Sequence, residues 1–203
     1  MDIKEINLYF NNFDTVIGKI YYIWADFISD NTDNNDAEDR TAEIKSNEFV
    51  NFIGLGEISF NNFMDKIAQN YYKDEPVIRK NKNSYIESEI INYLSRQSKI
   101  INVKPYFLTG SKFEKTVWAK LMKVPYGKTK SYKDIAILIN KPDAYRAVGT
   151  AIGKNPLLLL VPCHRIIKSN KDIGNFSSGV KIKKFLLDLE SMENKQNCNF
   201  IFN

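Results

Sequence analysis

The spacing of apolar residues changes character along the chain, from alternation near the start to helical periodicity towards the end. Residues 3–10 alternate in the manner of a half-buried strand, and Asp14-Thr-Val-Ile-Gly-Lys-Ile-Tyr-Tyr-Ile-Trp24 reads as a turn entering a β-rich run. Between Asp30 and Asp39 almost nothing is apolar, and the Asn and Asp there predict an exposed loop within an acidic stretch near 29–40. Phe49 to Phe60 is apolar again, interrupted by Gly54 and Gly56, which predicts a strand or hairpin, with a short helix over Asn62 to Tyr72. Ile86, Ile90, Tyr93 and Leu94 recur at helical spacing and predict a helix capping the sheet.

A lysine-containing connector ends at Pro105, where a domain boundary is expected: 1–104 as an α/β unit, 105–191 as a mainly helical one, and 192–203 as a flexible tail containing Cys198. Phe113, Val117, Trp118 and Leu121 form one helix face, and Val124-Pro-Tyr-Gly127 ends that helix. Ser131-Tyr-Lys-Asp134 has capping-box spacing and starts a helix through Ile139; Asn140 to Asp143 is a turn, and Ala144 to Gly153 a second helix. Two helices with a short link are the layout of a helix-turn-helix, a weak signal by itself. The second helix places Ala144, Val148, Ala151 and Ile152 on one face and Arg146, Gly149, Thr150 and Gly153 on the other. That second face is nearly free of side chains apart from the arginine, and suits close approach to a neighbouring helix or to a DNA groove. Leu157 to Val161, between two prolines, predicts a short buried strand or extended segment. A glycine-punctuated loop over 168–179 precedes a last helix, Val180 to Ser191, with Ile182, Phe185, Leu186 and Leu189 inward and Lys181, Lys184 and Asp188 outward.

Composition is ordinary for a globular chain of 203 residues, 43% hydrophobic and 26% charged. No apolar run reaches membrane-spanning length and the start lacks a signal peptide, so an intracellular protein without a membrane partner is expected, in cytoplasm or, in a eukaryote, nucleus. One histidine and two cysteines make a Cys/His zinc site unexpected and argue for reduced thiols. The net charge of +5 is unevenly spread: residues 1–110 carry 12 basic and 17 acidic side chains, residues 111–190 carry 16 and 6. A solvated lysine face or any acidic partner would explain the excess, but the helix pair in the same segment favours phosphate.

The candidate chemistry sits at Pro162-Cys-His-Arg165, where a cysteine and the only histidine are adjacent. A buried thiol needs a base, yet neighbouring side chains point in different directions, so a bridging water would be required between Cys163 and His164. Core packing is the plain alternative for a cysteine at the end of an apolar run. The wider pattern decides. Val161-Pro-Cys-His-Arg-Ile-Ile167, with Phe113-Glu-Lys-Thr-Val-Trp118, Val124-Pro-Tyr-Gly-Lys-Thr-Lys-Ser-Tyr132, Asp134-Ile-Ala136, Pro142-Asp-Ala-Tyr-Arg-Ala-Val-Gly149, Asn155-Pro156 and Leu186-Leu-Asp-Leu-Glu190, resembles the O6-alkylguanine-DNA alkyltransferases in order and spacing from about Tyr106 to Glu190.

The resemblance implies an α+β fold, a small ribonuclease-H-like sheet with helices followed by a helical catalytic domain containing the helix-turn-helix. It implies a monomer that binds double-stranded DNA through the minor groove, with Arg146 filling the hole left by a flipped nucleotide and Gly149, Lys133 and Lys141 at the DNA surface. Tyr132, Ile152, Phe176 and Ser177 would form the base pocket, and Cys163, His164, Glu190 and Asn155 the reacting centre. Glu190 would orient His164, His164 would take the Cys163 proton through water, and the thiolate would accept the alkyl group irreversibly, with no cofactor. Relatives often bind zinc in the N-terminal domain, and the ligands for it are missing here. Phe176 stands where the family has tyrosine, and Ser178 where several relatives have glycine, which alters a polar contact and the room for bulky alkyl groups. Two other readings explain only part of the pattern: a cysteine hydrolase leaves Arg146 and its smooth helix unused, and a helix-turn-helix regulator leaves Cys163 unused.

Overall fold

A computed structural model describes residues 6–27, 48–71 and 78–191. The acidic stretch and the terminal segment with Cys198 lie outside the described residues. Strands β1 (Ile6–Thr15) and β2 (Gly18–Phe27) form an antiparallel hairpin, β3 (Glu48–Leu55) pairs antiparallel with β2, and short β4 (Ile78–Lys80) runs parallel to β1, giving the order β3-β2-β1-β4. The hairpin closes at Gly18, whose φ of 114° favours glycine.

Alternation along β2 sends Ile20, Tyr22 and Trp24 to one face and Ile23 and Ala25 to the other. On β3 the alternation breaks at a bulge: Ile23 pairs with Phe52 and Trp24 with Val50, skipping Asn51. The extra residue puts Val50 and Ile53 on the same side, facing the main core, while Phe52 joins the smaller cluster under helix α1 (Glu57–Tyr71). The sequence expectation for this region needs correction. Phe49 to Phe60 is neither one strand nor a hairpin, because Gly56, with φ of 77°, ends β3 and the helix begins at Glu57, five residues before its expected start.

Helix α2 (Ser84–Leu94), capped by the Asn83 side chain, turns Ile86, Ile90, Tyr93 and Leu94 onto the sheet face carrying Tyr22 and Trp24. The same apolar cluster continues without interruption into the second half through Val117, Trp118 and Leu121 of α3 (Lys112–Leu121), Ile135 and Ala136 of α4 (Tyr132–Leu138), and Val148, Ala151 and Ile152 of α5 (Tyr145–Gly153). The expected capping box of Ser131 with Asp134 forms at α4, and α3 has one as well, Ser111 with Glu114. A two-stranded parallel sheet, β5 (Lys130–Ser131) with β6 (Ile166–Ile167), and α6 (Val180–Ser191) complete the fold.

The run Leu157 to Val161 is not a strand. Leu157 makes a single bridge to Ile53, and the chain then turns, with Leu159 at φ 68° and the Val161 amide donating to the Leu157 carbonyl at 2.9 Å. Burial of every residue but Leu160 explains the apolar composition, which a buried turn satisfies as well as a strand. Helix α6 differs from expectation in part: Leu186 is buried and Ile182 and Leu189 pack against the core, but Phe185 is 37% exposed, and Lys183 and Glu190 are buried beside the stripe. No described helix is long and apolar enough to cross a membrane.

The bridge between Ile53 and Leu157 joins the sheet to the turn that precedes Cys163. The Ile53 side chain is buried in the core shared by the two halves, and Ile53→Ala is expected to destabilise the protein by about 2–5 kcal/mol, measured by urea unfolding; a loss below about 0.5 kcal/mol would show that this side chain contributes little to that core.

Candidate functional site

Cys163, His164 and Arg165 occupy one turn of 3-10 helix. At three residues per turn, successive side chains diverge by about 120°. The thiol of Cys163 lines a cavity, whereas His164 and Arg165 both reach the Glu190 carboxylate of α6. Adjacency in sequence therefore separates the thiol and the imidazole instead of pairing them.

Asn155, two residues past the end of α5, fixes the turn that presents the cysteine. Its side-chain oxygen accepts from the Leu157 amide at 3.0 Å, and its amide nitrogen donates to the Val161 carbonyl at 2.9 Å and to Cys163 Sγ at 3.1 Å. Burial pushes the Cys163 thiol above its ordinary pKa, while the Asn155 hydrogen bond and the Lys183 ammonium act the other way. The thiol is thus held protonated until its proton has somewhere to go.

Glu190 is the most heavily bonded side chain of the site. It accepts from His164 Nε2 at 2.6 Å, from Arg165 Nε at 2.9 Å and Nη2 at 3.0 Å, from the Gly127 amide at 2.9 Å, and from the Tyr93 hydroxyl. Gly127 is required there, because its φ is 68° and a Cβ would lie 3.0 Å from the Glu190 carbonyl oxygen. Burial raises the Glu190 carboxyl, but the hydrogen bonds from His164 and Arg165 outweigh it and hold the group down at about 2. An ionised carboxylate only accepts, so His164 Nε2 carries the hydrogen and Nδ1 of the neutral ring presents a lone pair. Burial pushes the His164 pKa below 6.5, which keeps that ring neutral at neutral pH. Nδ1 is buried and makes no hydrogen bond to any described protein atom.

The cavity reached by Cys163 has a volume of about 760 Å³. Its walls are α5 with Arg146, Gly149 and Ile152, Tyr132 at the start of α4, and the loop from Gly174 to Ser177. Arg146 is exposed, with its guanidinium 5.8 Å from the ring centre of Tyr145. The glycine-bearing face of α5 is open: a Cβ on Gly149 would come 3.7 Å from the Tyr132 ring, an ordinary contact, and one on Gly153 would meet nothing within 4 Å. Tyr132 has its phenol pKa raised, first by burial and then by the neighbouring Cys163 charge, so it remains a hydrogen-bond donor.

The structure thus gathers Cys163, Tyr132, Arg146, Gly149, Ile152, Phe176 and Ser177 around one cavity, with Asn155, His164 and Glu190 behind the thiol. Lys133 lines a separate concavity, and Lys141 lies 5.6 Å from the Phe113 ring centre, away from the cavity lining. Three residues escaped the sequence analysis. Tyr93 reads as one of four apolar positions on α2, and Arg165 as part of a motif rather than as a partner of Glu190. Lys183 lies 1% exposed beneath the site, donating to the carbonyls of Ile166 and Asn175, with burial lowering its pKa to about 8. Its spacing from Leu186 and Glu190 on α6 was the available signal, outweighed by the rarity of buried lysine.

Residues 112–192 match the family model described as 6-O-methylguanine DNA methyltransferase, DNA binding domain. The inducible methylated-DNA–protein-cysteine methyltransferase of Bacillus subtilis is 50% identical over 102 residues, 50% of this chain and 56% of that protein, so the chain spans about half the length of this relative. A probable methylated-DNA–protein-cysteine methyltransferase of Acanthamoeba polyphaga mimivirus is 36% identical over 138 residues, 68% of this chain and 91% of its own length. Among solved structures, Mycobacterium tuberculosis OGT in complex with DNA superposes with a TM-score of 0.66 at 23% identity, covering 90% of this chain and 92% of its own. The O6-methylguanine-DNA methyltransferase of Pyrococcus kodakaraensis gives 0.57 at 23% identity, covering 90% and 98%. These two likenesses establish the α+β fold, and the viral relative, matched over nearly its whole length, establishes that the chain belongs to the methylated-DNA–protein-cysteine methyltransferase family.

Proposed function

We propose that the protein repairs DNA by transferring the alkyl group of O6-alkylguanine, chiefly O6-methylguanine, to Cys163. The observation that carries this reading is a buried thiol at the wall of an open cavity of about 760 Å³, roomy enough for a flipped nucleotide and lined by the glycine-bearing face of α5. Residues 105–191 perform the chemistry, and residues 1–104 support it through Tyr93 on Glu190. The α5 face enters the minor groove, and Arg146 takes the place of the nucleotide whose base turns into the cavity. Phe176 and Ile152 wall the base, and Tyr132 donates to its edge.

Water carries the Cys163 proton to the free Nδ1 of His164, whose tautomer Glu190 sets. Sulfur forms a bond to the alkyl carbon as the bond from that carbon to O6 breaks, and the electron pair leaves on guanine. Tyr132 supplies a proton to the departing base, and the proton first taken from the thiol restores the balance. The buried Lys183 ammonium favours the developing thiolate. A thioether is not hydrolysed at neutral pH, so each molecule reacts once. The protein acts as a monomer on double-stranded DNA.

Two measurements test this. Intact-protein mass after mixing with a duplex containing one O6-methylguanine is expected to increase by one methyl group, mapped to Cys163 and absent in Cys163→Ala; an unmodified mass despite lesion-selective binding leaves a recognition protein only, and turnover of a thiol-reactive ester favours the hydrolase. Burial keeps His164 neutral to lower pH than a free imidazole, so the single-turnover rate is expected to hold as pH falls through about 6.5 and to decline only in more acid solution. A half-maximal rate at or above about 6.5 would rule out a buried His164 as the base.

A further inference from the structure

Next to the mouth of the main cavity lies a second concavity of about 340 Å³, formed by β5, the first residues of α4 and the turn after β6. Lys130, Lys133, Lys168 and Lys171 line it, and all four are exposed. Two carboxylates stand among them. Asp134 faces Lys130 and Lys171 but spends one oxygen on the Ser131 amide at 2.8 Å, and Asp172 pairs loosely with Lys168 at 3.6 Å. The four cations therefore outnumber the acids by two.

The turn that brings Lys168 and Lys171 together is internally fixed. The Lys168 amide donates to the Asp172 carbonyl at 2.8 Å, the Lys171 amide to the Lys168 carbonyl at 3.0 Å, and the Asn170 side chain to Asp172 at 2.9 Å. Lys171 sits at φ 72°, a conformation uncommon for a residue with a side chain. Lys168 lines both this concavity and the main cavity, whereas no residue of α5 lines the smaller one. A strand whose base enters the main cavity is pinned at that point, and its neighbouring backbone must run over the ground next to the mouth.

We propose that this lysine notch holds a backbone phosphate of the strand that carries the flipped base, beside that nucleotide and apart from the contacts made by α5. The inference rests on the DNA-repair reading above. Exposed ammonium groups act as point charges that attract phosphate without reading sequence, and their number suits a continuous polyanion better than a single small anion. The notch accordingly contributes to affinity for any duplex and to its salt dependence, and leaves lesion selectivity to the cavity.

The test is duplex affinity by fluorescence anisotropy across a range of salt concentrations, for unmodified and O6-methylguanine DNA. Lys130→Gln with Lys171→Gln is compared with Lys181→Gln with Lys184→Gln, which removes the same charge from the outer side of α6. The first pair is expected to make the slope of log affinity against log salt shallower by about 1, on both duplexes, and Lys130→Arg with Lys171→Arg to keep the full slope. An unchanged slope in the first pair, or an equal change in the α6 pair, overturns the notch. Wild-type protein that binds DNA but takes up no methyl group overturns the transfer reaction and leaves the notch to be judged by its own slope.

Discussion

A single buried carboxylate, Glu190, is the constraint on which the rest of the site depends. Taking a charge out of water costs several kcal/mol unless donors surround it, and here four donor residues come from three places in the chain: Tyr93 on α2, Gly127 after α3, and His164 with Arg165 in the reactive turn. Each donor fixes the segment that carries it. Tyr93 ties the front half of the chain to the reactive segment, Gly127 locks the turn after α3 against α6, and Arg165 extends the network to the Val124 carbonyl at 2.6 Å. With the carboxylate ionised and saturated, the imidazole has one orientation and one tautomer left to it. The cysteine is then placed by elimination, since its neighbour in the same turn points into the core.

The thiol lives under opposing influences. Burial keeps it protonated, while Asn155 and Lys183 lower the cost of removing the proton. On the proposed reading this balance suits a protein whose cysteine reacts once, because a standing thiolate would be open to oxidation and to stray alkylation before damaged DNA arrives. Asn155 links the balance to α5: it follows the last residue of the helix that carries Arg146 by two positions, and its amide holds Cys163 Sγ, so the proposed DNA-reading helix and the acceptor are joined by a short connection.

The parts of this arrangement differed in how plainly the sequence displayed them. The Ser131 capping box and the helical stripes in the second half are local signals, and α3, α4 and α5 lie where Ser131 and the apolar spacing put them. Residues of the cavity wall follow from the family resemblance because the motifs keep their spacing. What escaped depends on contacts remote in sequence. The bulge at Asn51 is visible only once β2 is paired with β3, and the buried turn at Leu159 has the composition of a strand. Tyr93 lies 97 residues from the carboxylate it contacts, and its hydroxyl does not disturb an apolar stripe. Lys183 contradicts the rule that lysine faces water, and only the two carbonyls it meets explain why it does not.

Because the chain contains one histidine, the central claim, that Glu190 fixes the protonation of His164, is open to direct observation. Selective ¹⁵N labelling of the imidazole gives two nitrogen resonances from a single ring. A neutral ring at pH 7, protonated at Nε2 and with a lone pair on Nδ1, is expected; in Glu190→Gln the preference is lost or reversed. An imidazolium at pH 7, or a hydrogen on Nδ1 in the wild-type protein, would contradict the claim.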